Sequence, residues 1–591
     1  MDTKKLILTI VLSVAVLLVW QYFFMPKPAP APPAAVADGT APPQDAALPP
    51  AAAPEAAAAD IGSILGQAEP AVEEKETELA AVPEDLSAPG EQPVTVEGPL
   101  FTARFTNRGA GLVSLVLKNY KDDAGQPMDL VSRSAEASGF FPFYFLNNTK
   151  TLDGLNKAMF RYRGSATVDI HRGRETEIVF EYANAAENLL AVKKFIFSPS
   201  SYVIGLKFEV IKDGRLVADL PVVFGPDLEN NDSRDRAMMM NLKIAAYANE
   251  KLQSLDFAKQ KTQPQATPAF EKAAGAMGTG FFWSAYETTY FAAVFKSAPG
   301  NRSQLSWQAI RPLQGDEKGK LYSYMIVTDP VAAFIGPKDE KILAAVEGEF
   351  PDLNKIIEYG WFGSIAKIML KGITFVHGFL PNYGWAIILF TLFLKLVLFP
   401  LTYSSSVSMA KMQALQPKLK AIQKKYKNSK DMEQRKLMNA EMMALYKQEK
   451  VNPAGGCLPL LLQLPLLWGF FRLLSVSINV RHEPWLLWIT DLSKKDPYYV
   501  LPILMGVTQL IQTRMTPSSG DSTQKKMMYI LPFVMVIMFA SFPSGLNLYW
   551  CFSNVLQIGQ QYIVNQKIYK QKKEEAREFK ALKRKKGAKE K

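Results

Sequence analysis

From Trp385 to Leu401 the chain reads WAIILFTLFLKLVLFPL, apolar except for Thr391 and Lys395. A lysine in such a run is costly to hold in hydrocarbon. It faces a polar cavity or a partner, or it snorkels to the nearer surface. Thr391, Lys395, Thr402 and Ser406 follow steps of four, seven and four, which sets them on one face of a helix. The chemistry on offer is electrostatic: a fixed positive charge beside hydroxyls, attractive to an anionic group where water is scarce. Other apolar runs carry amides and aromatics that suit the same wet surface. Gln463 lies in one run and Thr508, Gln509 and Gln512 in the next. Trp550, Asn554, Gln557 and Gln561 step by four, three and four along the last. Each of these serves equally well as an interhelical hydrogen bond. Arg472, a second cation in an apolar run, sits near one end of it and reads as a snorkelling side chain.

Covalent and metal chemistry find little support. Cys457 and Cys551 lie in apolar stretches, and His171, His377 and His482 stand far apart. Neither a disulfide framework nor a metal site is expected. There is no HExxH, P-loop or nucleophile elbow, so we expect no cofactor, no ATP hydrolysis and no enzymatic activity.

The 591 residues exceed one ordinary domain, and 48% hydrophobic content with a net charge of +12 suits a membrane protein with basic exposed segments. Residues 1–25 read as an uncleaved transmembrane anchor behind Lys4 and Lys5, with a cleaved signal peptide as the alternative. Residues 26–95 are rich in Pro, Ala and Glu, the composition of a disordered tether. From 96 to 340 the pattern alternates with period two, as in Tyr202, Ile204, Leu206, Phe208 and Val210, and predicts a large all-β region, a β-sandwich. Residues 352–372 read as an amphipathic helix on the membrane, with packing on the β-region as the alternative.

Five further spans are expected near 383–403, 456–478, 498–514, 527–541 and 546–566. The segment 403–452 holds eleven Lys/Arg against four acids, and the tail 567–591 holds twelve against four. The loop 478–497 balances at three and three. The positive-inside rule then puts the first two in the cytoplasm, the loop and the β-region outside, and six spans with both termini inside. Segment 404–452 reads as a helical hairpin. Its methionines, among them Met409, Met412, Met438 and Met442, suit either a surface for varied apolar partners or the hairpin's own packing.

Four segments carry a resemblance: MAKMQALQPKLKAIQKKY (409–426), EKVNPAGGCLPLLLQLP (449–465), DLSKKDPYYVLPILMGVTQ (491–509) and FPSGLNLYW (542–550). The chain resembles the YidC-type membrane protein insertases in their long Gram-negative form. The resemblance implies a multi-pass α-helical inner-membrane protein. Its five-span core (380–566) encloses a hydrophilic groove open to the cytoplasm, beside a β-rich periplasmic domain. Lys395 matches the groove's basic residue, usually arginine, and Thr391 a groove residue one turn away. Tyr549 and Trp550 match a pair of tyrosines. The resemblance further implies that such a protein inserts nascent membrane proteins and acts as a chaperone, alone or with the Sec translocon. The basic tail fits a ribosome or membrane lipids. A secondary transporter and a membrane-anchored enzyme are the competing classes. The lack of an internal repeat disfavours the first.

Overall fold

The computed structural model describes residues 74–75 and 84–587, apart from 147–148, 172, 229–241, 258–262, 265–269, 299–302, 313–321, 427–431, 450, 452–457 and 517–521. The expected anchor and most of the expected tether lie outside the described residues.

The alternating segments form strands, and among the described residues the strands form three sheets, one of eleven strands and two of five. In the large sheet β2 (Thr176–Asn184), β3 (Leu189–Phe197) and β4 (Val203–Lys212) run antiparallel, with Thr176 and Ile204 both opposite Phe197. Every second side chain of β3 is buried, so one face meets a core. Both smaller sheets pack on that face. Phe105 of β1 (Phe101–Thr106), in one small sheet, lies 4.7 Å from Phe195, ring centre to ring centre. Phe224 of β5 (Pro221–Phe224), in the other, lies 5.4 Å from Phe295 of β6 (Phe291–Ser297). Phe143 joins them, 5.3 Å from Phe195 and 6.3 Å from Phe224. The sandwich thus has one continuous layer and one divided layer. Each buried Phe contributes about 1.5–3 kcal/mol.

One member of the inward row is a lysine. Lys193 is 1% exposed and donates to the carbonyls of Gly109 (2.8 Å) and Phe143 (2.6 Å). Burial pushes its ammonium well below the usual lysine range. The two carbonyls accept from its N–H groups and offset part of the cost of burying it.

The segment expected as one helix from 352 to 372 is broken. A short 3-10 turn at Leu353–Ile356 is followed by Gly360 at φ +71°, a left-handed position that ends any helical run. Helix α1 then runs Gly363–His377. It buries Ala366, Met369, Leu370 and Ile373 and leaves Trp361, just before it, and Ile368 and Phe375 exposed.

Helix α2, Tyr383–Ala414, starts where the Asn382 side chain accepts from the Trp385 amide. Among the described residues it is the one helix long and apolar enough to cross a membrane by length and composition, with shorter apolar runs at 462–476 and 526–539. Its 32 residues rise about 48 Å, well beyond a hydrocarbon core of about 30 Å, so it overruns its expected end at 403. It carries Pro400 in its interior and ends at Ala414, and Pro417 stands in the first turn of the helix that follows, where its missing N–H costs no bond. Helices α3 (Gln416–Lys425) and α4 (Met432–Gln448) form the hairpin. They are followed by α5 (Leu458–Val476), α6 (Val500–Met515), α7 (Ser522–Phe539) and α8 (Ser544–Gly587). Helix α8 continues through the basic tail without a break, since Lys, Arg, Glu and Ala are strong helix formers. It packs on α2, α5 and α6, while α1 packs on α2 and α5.

The loop between α5 and α6 is held by Asp496, which is fully buried. Its carboxylate accepts from the Trp488 indole (3.0 Å) and from the amides of Tyr498 (3.0 Å) and Leu501 (2.7 Å). The last of these bonds sits in the first turn of α6, where an anion complements the helix dipole.

Candidate functional site

Helices α2, α5 and α8 enclose a small cavity of about 30 Å³, enough for a water or two. Thr391, Lys395 and Thr402 line it from α2, Gln463 from α5, and Tyr549 and Gln557 from α8, with Leu394, Leu398, Leu462 and Leu466 between them. Lys395 is half-buried, and its ammonium donates to Gln557 Oε1 at 3.3 Å. Among the described residues no carboxylate pairs with it. A neutral amide offers the charge less than a carboxylate would, so the ammonium keeps most of its capacity for an incoming anion.

The remaining polar groups are more fully committed. The Thr391 hydroxyl, 1% exposed, donates to the Ile387 carbonyl of its own helix at 2.6 Å. Thr402 accepts from the Gln560 amide at 2.8 Å, which ties α2 to α8 one turn beyond Gln557. Gln560 was not among the expected residues, although its spacing of three from Gln557 puts it on the same face. Tyr549 is 2% exposed and packs at a tilt against Phe470 of α5, ring centres 4.7 Å apart. Ser405 and Ser406 are buried further along α2, and the stripe continues past Thr402 on the same face.

Gln509, Trp550 and Asn554 lie elsewhere. They form a seam between α6 and α8: the Trp550 indole donates to Gln509 Oε1 at 3.3 Å, and the Asn554 amide donates to the Met505 carbonyl (3.3 Å) and the Thr508 hydroxyl (3.2 Å). None of the three lines the Lys395 cavity. Neighbouring residues of a helix point about 100° apart, so Tyr549 and Trp550 face different partners.

The hairpin's methionines divide in the same way. Met412 is buried with Leu415, Leu419 and Val451, and Met442, Leu445 and Tyr446 pack against this small core. Met409 and Met438 are half-buried. Among the described residues of the hairpin, the large apolar side chains left exposed are Leu437 (55%) and Met443 (49%). Lys418–Glu449 (2.5 Å) and Lys425–Glu441 (3.1 Å) pair α3 with α4 and its end. These pairs are exposed and contribute little beyond orientation.

Two family models match the chain. The model described as the 60Kd inner membrane protein covers residues 375–573, and the model described as the YidC periplasmic domain covers residues 93–371. A membrane protein insertase YidC of Citrifermentans bemidjiense is 36% identical over 577 residues, covering 96% of this chain and 99% of that protein. One of Syntrophus aciditrophicus is 32% identical over 595 residues, covering 95% and 99%. A solved structure described as an active YidC insertase with the first transmembrane domain resolved aligns over 82% of this chain and 95% of that one. Its identity is 19% and its TM-score 0.34, a likeness too low to transfer detail.

Proposed function

This chain belongs to the YidC family of membrane protein insertases, and from that premise we propose how its own residues carry out insertion. It acts at an inner membrane, with its β-sheet region as the periplasmic domain. The proposed core comprises α2, α5, α6, α7 and α8, with the N-terminal anchor as a sixth span. The basic hairpin and tail lie in the cytoplasm, as their excess of Lys/Arg supports.

The carrying observation is Lys395: an ammonium half-buried in a small cavity between three apolar helices, with an amide and no carboxylate as its partner among the described residues. A nascent membrane protein has to move a polar flank through a layer that resists it. In the proposed mechanism the flank enters from the cytoplasmic side along the stripe of Ser406, Thr402 and Lys395. The ammonium attracts acidic residues of that flank, and the attraction is strong because little water shares the site. The apolar segment then leaves sideways, driven by the transfer of about 20 apolar residues into hydrocarbon. Helices α6 and α7 carry exposed Ile503, Val507, Phe533 and Ile537, which supports lateral contact with a released segment and a chaperone role. No bond is made or broken, so the proposed activity is not enzymatic. Work beside the Sec translocon is proposed on the family resemblance. The hairpin's exposed Leu437 and Met443 are proposed to greet the substrate first. The twelve Lys/Arg of the tail suit ribosomal RNA or anionic lipid.

The test is photocrosslinking to a stalled nascent membrane protein. A probe at Gln463 or Gln557 should capture the nascent chain, and a probe at Tyr562, which is 58% exposed on α8, should capture lipid. Capture of lipid alone at Gln463 and Gln557 overturns the reading.

A further inference from the structure

A second and larger cavity, about 200 Å³, lies where the β-sheet domain meets the end of α5. It far exceeds the ~10–15 Å³ that one water requires. Lys243, Glu287 and Lys338 reach it from the domain, Glu358 from the linker before α1, and Arg472 from the last turns of α5. Four of these five groups are paired. Lys338 lies 2.5 Å from Glu287, both almost fully buried, and Lys243 lies 2.5 Å from Glu358. Arg472 donates through one terminal nitrogen to the backbone carbonyl of Glu358, and its Nε is buried with no partner. Three cations therefore face two carboxylates, and the excess charge belongs to a guanidinium with an unused N–H. Arg472 does not simply snorkel to solvent; it reaches from α5 into a partly open, positively charged cavity.

The position of the cavity identifies the anion. It opens beside the linker that carries Trp361, 73% exposed, immediately before α1. Exposed tryptophan next to an amphipathic helix marks the headgroup level of a bilayer. Arg472 lies one turn inside the end of α5, at the same level. We propose that this cavity binds the phosphate of an outer-leaflet phospholipid, with Arg472 as the principal donor and Lys243 at the mouth. A phosphodiester carries one negative charge, equal to the excess, and its oxygens accept from guanidinium with good geometry. A bound lipid would join the periplasmic domain to the membrane core. The insertion reading stands or falls separately, at Lys395.

The full chain purified in detergent provides the test. Short-chain phosphatidylglycerol should raise its melting midpoint by several degrees, since a ligand that binds only the folded state stabilises it by mass action. Inorganic phosphate at the same concentration should leave the midpoint unchanged. Arg472→Gln should abolish the lipid shift. So should Thr289→Glu, which sets a competing carboxylate in the half-exposed lining while keeping Arg472, and covers the case in which the Arg472 variant fails to fold. Equal lipid shifts in wild type and Thr289→Glu overturn the proposal. A phosphate shift as large as the lipid shift overturns it too, by making the site one for a free anion.

Discussion

Replacing Lys395 by methionine keeps the length and apolar stem of the side chain and removes only its charge. If a carboxylate of a moving tail comes within about 4 Å of the ammonium, Coulomb attraction at an effective dielectric of 20 is about 4 kcal/mol. Stripping water from both ions takes back part of this, and hydrogen bonds to charged groups retain about 1.5–3 kcal/mol net. Lys395→Met should therefore slow insertion of a single-span substrate with one acidic residue in its translocated tail by about 10- to 100-fold. A tail with no acidic residue should change by less than about 2-fold. Lys395→Arg, which keeps the charge, should follow wild type with both substrates. The assay is protease protection of radiolabelled substrate in proteoliposomes, timed over the first turnover. Stability supplies an internal control. Among the described residues Lys395 bonds Gln557 Oε1 at 3.3 Å and no carboxylate, so removing the charge relieves a desolvation cost and should leave the melting midpoint equal or higher. Unchanged insertion of the acidic substrate in Lys395→Met would refute the charge argument. So would equal slowing of acidic and neutral tails, which would make the residue a packing element.

Two further predictions concern groups outside the cleft. In the hairpin, Leu437→Ser with Met443→Ser should lower crosslinking of an early nascent chain while leaving the melting midpoint within about a degree. Met412→Ser, by contrast, opens the small hairpin core and should cost about 2 kcal/mol or more; the opposite ordering would show that the buried methionines are the contact surface. In the β-sheet domain, Lys193 has its folded-state pKa depressed, so the unfolded chain binds more protons between that value and about 10.5. Its contribution to stability is complete above the unfolded value and is lost as pH falls. Between pH 7 and 9.5 the wild-type unfolding free energy should therefore rise relative to Lys193→Met, by at most about 1.4 kcal/mol per pH unit. Parallel pH profiles would show that Lys193 stays charged when buried.

Much of the architecture follows from local patterns. Alternation over Tyr202–Val210 produces β4 because a two-residue period buries one face of a strand whatever lies opposite. The run around Lys395 becomes α2 because a long, predominantly apolar stretch with an N-cap at Asn382 has no better way to satisfy its backbone. The stripe of Thr391, Lys395, Thr402 and Ser406 needs only the helical repeat. Element ends were less legible. The overrun of α2 to Ala414, the unbroken α8 and the break at Gly360 depend on whether neighbouring turns permit continuation, and hydropathy does not report that.

The sequence alone determined which residues share a face of each helix, where charge collects along the chain, and the family to which the motifs belong. Only the tertiary structure decided which faces meet. Periodicity fixes a side chain's direction about its own helix axis but leaves free the rotation of that helix against its neighbours. That rotation put Gln463, Tyr549 and Gln557 beside Lys395 and turned Gln509, Trp550 and Asn554 into a separate seam. It also brought Arg472 together with Glu358, Glu287, Lys243 and Lys338, residues up to 229 positions apart in sequence, around one cavity. Contacts between distant segments depend on the packing of whole elements, and no local spacing records them.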